Sequence, residues 1–121
     1  MKLQLFLKEV DLISEHDLRE KLEHREKGVF GAFWLIDNEP TMSLFINNEN
    51  ACLYYMPGTE EDKWSFNPEF KGNEDDTIDF LIENYQLDEI SKTTVIPTKQ
   101  AIDAFVYFYN TKKLSTAITW N

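Results

Sequence analysis

Several stretches of the chain alternate between apolar and polar positions with a period of two, which is typical of β-strands. The stretch VFGAFWLID, residues 29–37, is instead apolar on both alternations, which predicts a central strand covered on both faces. Two following stretches, MSLFINN and ACLYYMP, are separated by turn residues and predict an antiparallel meander. Further strands are predicted at KLQLFLKEV, KWSFNPEF, TIDFLIEN, TTVIP and TAITWN.

Two stretches show the helical period instead. Residues 14–27 begin with Ser14, a good N-cap, and carry a thin apolar stripe at Leu18 and Leu22. Residues 98–112 have a broader apolar face, made of Ala101, Ile102, Phe105, Phe108 and Tyr109. Together these patterns predict an α+β fold, in which a mainly antiparallel, curved sheet carries two α-helices.

The composition fits one packed domain in a reducing compartment. Of the 121 residues, 42% are hydrophobic and 14% aromatic, which predicts a packed core and argues against disorder. No linker-like stretch divides the chain, so a single domain over residues 1–121 is expected. Cys52 is the one cysteine, so no internal disulfide can form. Neither a signal peptide nor a membrane-spanning stretch is visible, and we expect a cytoplasmic protein.

The net charge of −10 is concentrated in one quarter of the chain. Between Glu60 and Glu89 there are eleven Asp and Glu residues against two lysines, which leaves the rest of the chain close to neutral. A surface of this sign repels nucleic acid and anionic membranes, and it attracts a basic protein. The charge therefore predicts a basic protein partner, with neither nucleic acid nor a membrane as ligand.

Two candidate sites for chemistry each have a simpler interpretation. His16, Glu20 and His24 recur every four residues, so they share a helix face and two of them could hold a zinc ion. A solvated, salt-bridged helix face explains the same spacing more simply. Cys52 could be a nucleophile, but its neighbours are apolar, which favours a buried and inert thiol.

A third candidate is the acidic cluster Glu74, Asp75 and Asp76, which could bind a hard cation. Its sequence, GNEDDT, lacks the alternating spacing of a calcium loop, which favours a solvated turn. The four glycines are isolated, so no phosphate-binding loop is predicted. Without a catalytic constellation, we expect neither an enzyme nor a bound metal or cofactor.

Several aromatic residues are candidate interface anchors. Trp64, Tyr85, Tyr54 and Tyr55 lie in or beside predicted strands, and Tyr and Trp are enriched at protein interfaces. Each of these residues is also common in protein cores, which is the simpler interpretation for any one of them. Trp34 lies in the wholly apolar strand and is expected in the core.

The last third of the chain resembles immunity protein family 1, from bacterial polymorphic toxin and contact-dependent growth inhibition systems. There, the similarity follows the order of parts in TIDFLIENYQLDEISKTTVIPTKQAIDAFVYFYNTKKLSTAITW. A strand leads into a turn, then a helix, and then a last strand. The residues that carry the similarity are Asn84, Gln86, Asp88 and Glu89 in the turn, Val95, Pro97, Ala101, Ala104 and Phe108 around the helix, and Trp120 at the end. The upstream CLYYMPGTEEDKWSFNPEF also resembles that family's middle hairpin, more loosely, so the coverage is roughly residues 51–121.

The resemblance implies a protein that binds and neutralises a cognate toxin C-terminal domain in the producing cell's cytoplasm, without catalysis. Such toxins are commonly nucleases or nucleic-acid deaminases, whose basic clefts an acidic surface could occlude. The residues expected to bind the partner are Asp62, Trp64, Glu74, Asp75, Asp76, Asp79, Glu83, Tyr85, Asp88 and Glu89.

Other functions stay open from the sequence. An immunity protein could instead bind outside the toxin's active site, through Trp64 and Tyr85. The chain could also be a small acidic regulatory or adaptor domain that binds another basic protein. A third possibility is an enzyme or a small-ligand pocket within the curved sheet, which would require a pocket lined by convergent polar groups.

Overall fold

The computed structural model describes residues 1–6, 8–25, 29–36, 38, 41–82 and 86–121, and its fold is α+β, as predicted. The strands are β1 (Lys2–Gln4), β2 (Glu9–Asp11), β3 (Phe30–Ile36), β4 (Thr41–Asn47), β5 (Asn50–Met56), β6 (Lys63–Phe66), β7 (Thr77–Ile82), β8 (Gln86–Ser91), β9 (Ile96–Pro97) and β10 (Thr119–Trp120). The helices are α1 (Glu15–Glu23) and α2 (Thr98–Thr111), and a 3₁₀ turn covers Lys92–Thr94.

Within the described residues, eight strands form one sheet and two form a separate hairpin. The order across the large sheet is β10-β6-β5-β4-β3-β1-β2, and β9 pairs with the start of β5. The hairpin consists of β7 and β8. All of these strand pairs are antiparallel, which confirms the predicted meander and the mainly antiparallel sheet.

The large sheet has a core on each face, because β3 and its neighbours are apolar on both alternations, as predicted. On one face, Phe33 and Leu35 pack with α1 and α2, whose largest buried side chains include Phe105. On the other face, Ala32 lies in a smaller core to which the β7–β8 hairpin contributes Phe80. The hairpin therefore forms a third layer over the face that the helices leave free.

Helix α1 is shorter than the predicted span of residues 14–27. Ser14 is its N-cap, as predicted, and its side chain accepts a hydrogen bond from the Asp17 N–H at 3.1 Å. The helix ends at Glu23, one residue after Leu22, the last buried side chain of its stripe. Ion pairs along a helix stabilise it only weakly, so the helix stops where its packing stops.

Three other stretches differ from their predictions. The N-terminal strand is a hairpin of β1 and β2, closed by a hydrogen bond from Leu5 N to Lys8 O at 2.8 Å. Gln86, Asp88 and Glu89, which the family resemblance places in a turn, lie in strand β8. The predicted strand TTVIP is divided between the 3₁₀ turn and the two residues of β9.

Helix α2 covers the sheet with the apolar face that the sequence predicts. It spans Thr98–Thr111 and buries Ala101, Ala104, Phe105, Val106 and Phe108. Lys112 ends it in the left-handed conformation, with φ of 58°. In the part of the chain that the structure describes, no helix has the length and apolar character needed to cross a membrane.

Candidate protein-binding surface

The two faces of the β7–β8 hairpin have different chemistry, because the side chains alternate along each strand. The inner face carries Phe80, which is fully buried, together with Ile78 and Ile90, which pack against the smaller core. The opposite alternation places Asp79 and Glu89 on the outer face, and both are exposed. The hairpin is thus held by its apolar inner face and presents carboxylates outward.

The register of the hairpin brings Asp79 directly opposite Glu89. Just beyond the last paired residues, Lys92 N donates to Asp76 O at 2.8 Å. Hydrogen-bonded and non-hydrogen-bonded pairs alternate in an antiparallel ladder, so Asp79 and Glu89 form a non-hydrogen-bonded pair. Their side chains therefore stand at the closest cross-strand separation, with Cβ atoms about 4.5–5.5 Å apart.

This arrangement places two like charges where they repel each other. Like charges directly opposite in a ladder destabilise it. Of the acids between Glu60 and Glu89 that the structure describes, none forms an ion pair within the chain. The ion pairs among the described residues involve β1, β2, α1 and α2 instead, such as Arg19 with Glu15 at 3.1 Å. The outer face is therefore a negative surface that the chain itself does not neutralise.

An apolar pair continues the same outer face. Leu81 lies opposite Leu87, also at a non-hydrogen-bonded position, and Leu87 is 55% exposed. These leucines were not among the surface residues predicted from the sequence, although Leu87 is an isolated apolar residue beside Asp88 and Glu89 and thus a signal for an apolar surface position. The outer face of the hairpin therefore combines two carboxylates with two adjacent leucines.

The turn before β7 carries three more carboxylates on a backbone that is ordered by hydrogen bonds. Asp75 N donates to the Asn73 side chain at 2.9 Å, and Asn73 N donates to Asp76 Oδ2 at 3.1 Å. The Ser91 hydroxyl donates to the Glu74 carbonyl at 3.4 Å, which ties the turn to the end of β8. These hydrogen bonds order the turn before any partner binds, which reduces the entropy lost on binding.

Gly72 allows this turn to close. A Cβ atom at this position would lie 2.5 Å from Phe70 Cζ and 2.7 Å from Asp76 Oδ2. Both distances are shorter than van der Waals contact, so a larger residue would displace the ring or the carboxylate. The glycine therefore contributes to the position of Asp76.

A row of side chains crosses the large sheet on the face that the hairpin covers, beside the smaller core. The register aligns Trp34 with Ser43, Ser43 with Tyr54, and Tyr54 with Trp64. The Tyr54 and Trp64 rings stack with centroids 4.4 Å apart and planes at 21°. Trp34 is half-buried and packs against the smaller core, in agreement with its predicted place.

Asp62 is attached to this row through Tyr54. The Tyr54 hydroxyl donates a hydrogen bond to the Asp62 carboxylate. This hydrogen bond, together with burial, raises the pKa of Tyr54 above its ordinary value. Trp64 therefore belongs to a half-buried aromatic cluster, to which the exposed Asp62 is hydrogen-bonded, whereas Asp79 and Glu89 belong to the outer face of the hairpin.

The predicted partner-binding residues thus fall into four places. The outer face of the hairpin carries Asp79 and Glu89, and the ordered turn carries Glu74, Asp75 and Asp76. Asp88 is half-buried on the inner alternation opposite Phe80, and Trp64 lies in the aromatic cluster to which Asp62 is hydrogen-bonded. Glu83 and Tyr85 lie outside the described residues.

The residues considered for chemistry are arranged as follows. His16 Nε2 lies 3.8 Å from Glu20 Oε2 on an exposed helix face, which matches the salt-bridged interpretation. Cys52 is fully buried, and burial raises the pKa of its thiol well above the ordinary range. Among the described residues, no three His, Cys, Asp or Glu side chains are grouped to hold a metal ion.

A surface cleft of about 740 Å³ lies at the base of the hairpin, beside the start of α2. Its lining combines apolar side chains such as Ile78 with amides such as Asn67 and with Lys92 and Lys99. Among the described residues of the lining, Glu49 is the one carboxylate, and there is neither a histidine nor a cysteine.

The chain matches no protein family model, and no curated protein matches it either. The resemblance to immunity protein family 1 therefore remains a prediction from the sequence.

Proposed function

We propose that this protein is an immunity protein, which neutralises a basic toxin domain by covering it with the outer face of the β7–β8 hairpin. The observation that carries the proposal is the exposed pair of Asp79 and Glu89, two like charges at the closest cross-strand positions. Within the described residues, neither has a cationic partner. A cation from another protein would replace this repulsion by attraction, so the pair becomes favourable only in a complex.

The proposed mechanism is stoichiometric occlusion without turnover. Nucleases and nucleic-acid deaminases, the toxin classes that the family resemblance implies, bind phosphates in clefts lined by Lys and Arg. Carboxylates on the outer face and in the ordered turn would occupy the positions of those phosphates. The concentrated negative charge would also attract the toxin over a distance and raise the association rate in the cytoplasm of the producing cell.

The ordered turn and the hairpin both favour tight binding because they are already ordered before the partner binds. A surface that is already ordered loses less conformational entropy on binding than a flexible acidic tail does. The turn is held by hydrogen bonds of Asn73 and Ser91, and the hairpin is anchored by buried Phe80. The carboxylates are therefore presented on a rigid support.

A small acidic regulatory or adaptor domain, bound to an unrelated basic protein, is the alternative. Both functions use the same acidic face, so the identity of the partner distinguishes them. Binding outside the toxin's active site would use Trp64, whose ring is already stacked on Tyr54. The first experiment is therefore to co-express the chain with the product of the reading frame directly upstream of its gene. We expect that product to stop growth alone and to be harmless in the presence of this protein.

The second experiment tests the surface with two double variants of equal charge change. Asp79→Lys with Glu89→Lys reverses the outer face, and Glu20→Lys with Glu23→Lys reverses two exposed acids on α1, on the other side of the sheet. Titration calorimetry against the purified upstream product should show at least about tenfold weaker binding for the first double variant only. The difference should shrink as salt is raised from about 50 to 300 mM.

Two results would overturn the proposal. One is an upstream product that is neither toxic nor bound by this protein. The other is a complex whose affinity falls equally for both double variants, because the acidic face of the hairpin would then have no specific role.

A further inference from the structure

The outer edge of strand β8 has backbone groups without a partner. Since Asp79–Glu89 and Leu81–Leu87 are non-hydrogen-bonded pairs, the N–H and C=O groups of these residues point away from the opposite strand. For Leu87 and Glu89, this direction is the free edge of β8. Two adjacent donors and two adjacent acceptors therefore line that edge.

Elsewhere on the hairpin, some of the backbone groups that point outward already have a hydrogen-bond partner. On β7, the Asp79 carbonyl accepts a hydrogen bond from the Asn47 side chain at 2.9 Å. On β8, the Ser91 carbonyl accepts from the Thr94 hydroxyl at 2.8 Å. Among the hydrogen bonds of the described residues, none reaches the backbone of Leu87 or Glu89. On the β8 edge, the backbone groups of Leu87 and Glu89 are therefore open to a further strand.

The side chains along this edge select the strand that could pair with it. Exposed edge strands are templates for pairing, and charged residues on them discourage association between copies of a protein. If two copies paired antiparallel through β8 in a register centred on Asp88 or on Glu89, that residue would face its own counterpart, and like charges across a ladder repel. A strand with a cationic side chain beside Glu89 would be attracted to this edge instead of repelled.

We propose that an extended segment of the basic partner adds to the edge of β8 as a further strand, over residues 87–89. Its side chains next to the outer face would be a Lys or Arg beside Glu89 and, two residues away, an apolar residue beside Leu87. Backbone hydrogen bonds supply affinity in this mode, and alternate side chains supply specificity. This inference rests on the proposed function, since it assigns the acidic face a basic and extended ligand.

The test uses the intact protein and a synthetic peptide, acetyl-Thr-Lys-Thr-Val-Thr-Lys-Thr-amide, whose Lys and Val side chains share one face of a strand in either direction. A peptide of the same composition with its lysines adjacent and its valine terminal is the pattern control. The protein variants are Leu87→Pro and Leu87→Ala. Proline removes the outward N–H without removing a bond to β7, and edge strands tolerate it, whereas alanine keeps the N–H.

We expect the patterned peptide to protect the Leu87 and Glu89 amides from hydrogen exchange in the wild-type protein. Its dissociation constant, from NMR titration, should rise at least about tenfold more in Leu87→Pro than in Leu87→Ala, since only the former loses a backbone bond. The pattern control should bind at least about fivefold more weakly than the patterned peptide.

Three outcomes would overturn the inference. The first is equal binding by the proline and alanine variants, and the second is protection of the Leu81 amide on the β7 edge in place of Leu87. The third is a concentration-dependent dimer, seen by sedimentation without peptide and abolished by Leu87→Pro, because a second copy would then be the occupant. If both peptides bind equally and Asp79→Lys with Glu89→Lys abolishes both, the edge inference fails while the proposed function stands.

Discussion

Replacing Glu89 by Lys should stabilise the protein and weaken its complex, two effects of opposite sign from one change. In the free protein, the new lysine stands opposite Asp79 at a non-hydrogen-bonded position and replaces repulsion by attraction. In the complex, the same lysine faces a cationic partner. A residue that serves only the fold would not show this opposition.

The size of the stabilisation follows from the geometry. Cross-strand charge pairs contribute about 0.2–1 kcal/mol, and the substitution replaces a repulsive pair by an attractive one, so two such contributions add. Because this exposed pair is screened by solvent and salt, we expect a total of about 0.5–1 kcal/mol. An unfolding entropy of about 2.1 cal/mol/K per residue converts this energy to a Tm increase of roughly 2–4 °C for a chain of this length. Thermal unfolding followed by circular dichroism at low salt measures it directly.

A charge-swap series provides the control. Glu89→Gln removes the repulsion without adding attraction and should give about half the Tm increase. Asp79→Lys combined with Glu89→Lys restores two like charges and should return Tm to that of the wild type. In about 1 M salt the whole series should converge, because the screening length falls to about 3 Å. If the single and double lysine variants share one Tm at low salt, the two side chains do not interact and the reasoning from register is wrong.

Three further changes test other parts of the structure. Phe80→Ala removes the buried anchor of the hairpin and should cost about 3–5 kcal/mol in urea unfolding, whereas the half-buried Leu81→Ala should cost much less. The Cys52 thiol, whose pKa is raised by burial, should react with a thiol reagent at pH 8 only after unfolding, and modification of the native protein would contradict its burial. Asp62→Asn should lower the pKa of Tyr54 toward its ordinary value in a spectrophotometric titration, since the carboxylate acceptor is lost; an unchanged titration curve would rule out the hydrogen bond.

The sequence predicted well which faces of the sheet are covered, and it predicted poorly where helices and strands end. The double apolar alternation around Phe33 predicted a strand with a core on each face, because it depends only on local side-chain direction. The predicted end of α1 at residue 27 was wrong, since the helix ends at Glu23, because charged i,i+4 pairs extend the helical pattern beyond the last packed residue, Leu22. The first hairpin was missed because no Gly, Pro or Asn marks its turn between Leu5 and Lys8.

The sequence predicted that the candidate surface is acidic, but it did not predict how its residues are arranged. The concentration of acids between Glu60 and Glu89 is visible in the sequence, but the pairing of Asp79 with Glu89 depends on the register of a hairpin whose second strand was not expected. Gln86, Asp88 and Glu89 are polar residues that are depleted in strands, so propensity argues against β8. The packing of Phe80 and Ile90 on the smaller core overrides that propensity.

The position of the acids, more than their number, separates a binding role from a role in solubility. Solubility is served by carboxylates anywhere on the surface, and it gains nothing from two of them at the closest positions of a ladder, where the repulsion costs stability. The inner face of the hairpin accounts for its attachment to the sheet, so folding does not require charge on the outer face. The basic partner proposed above would account for a pair that neither folding nor solubility explains. Moving the same two charges to exposed sites on α2 should therefore leave the solubility of the protein unchanged and weaken its binding.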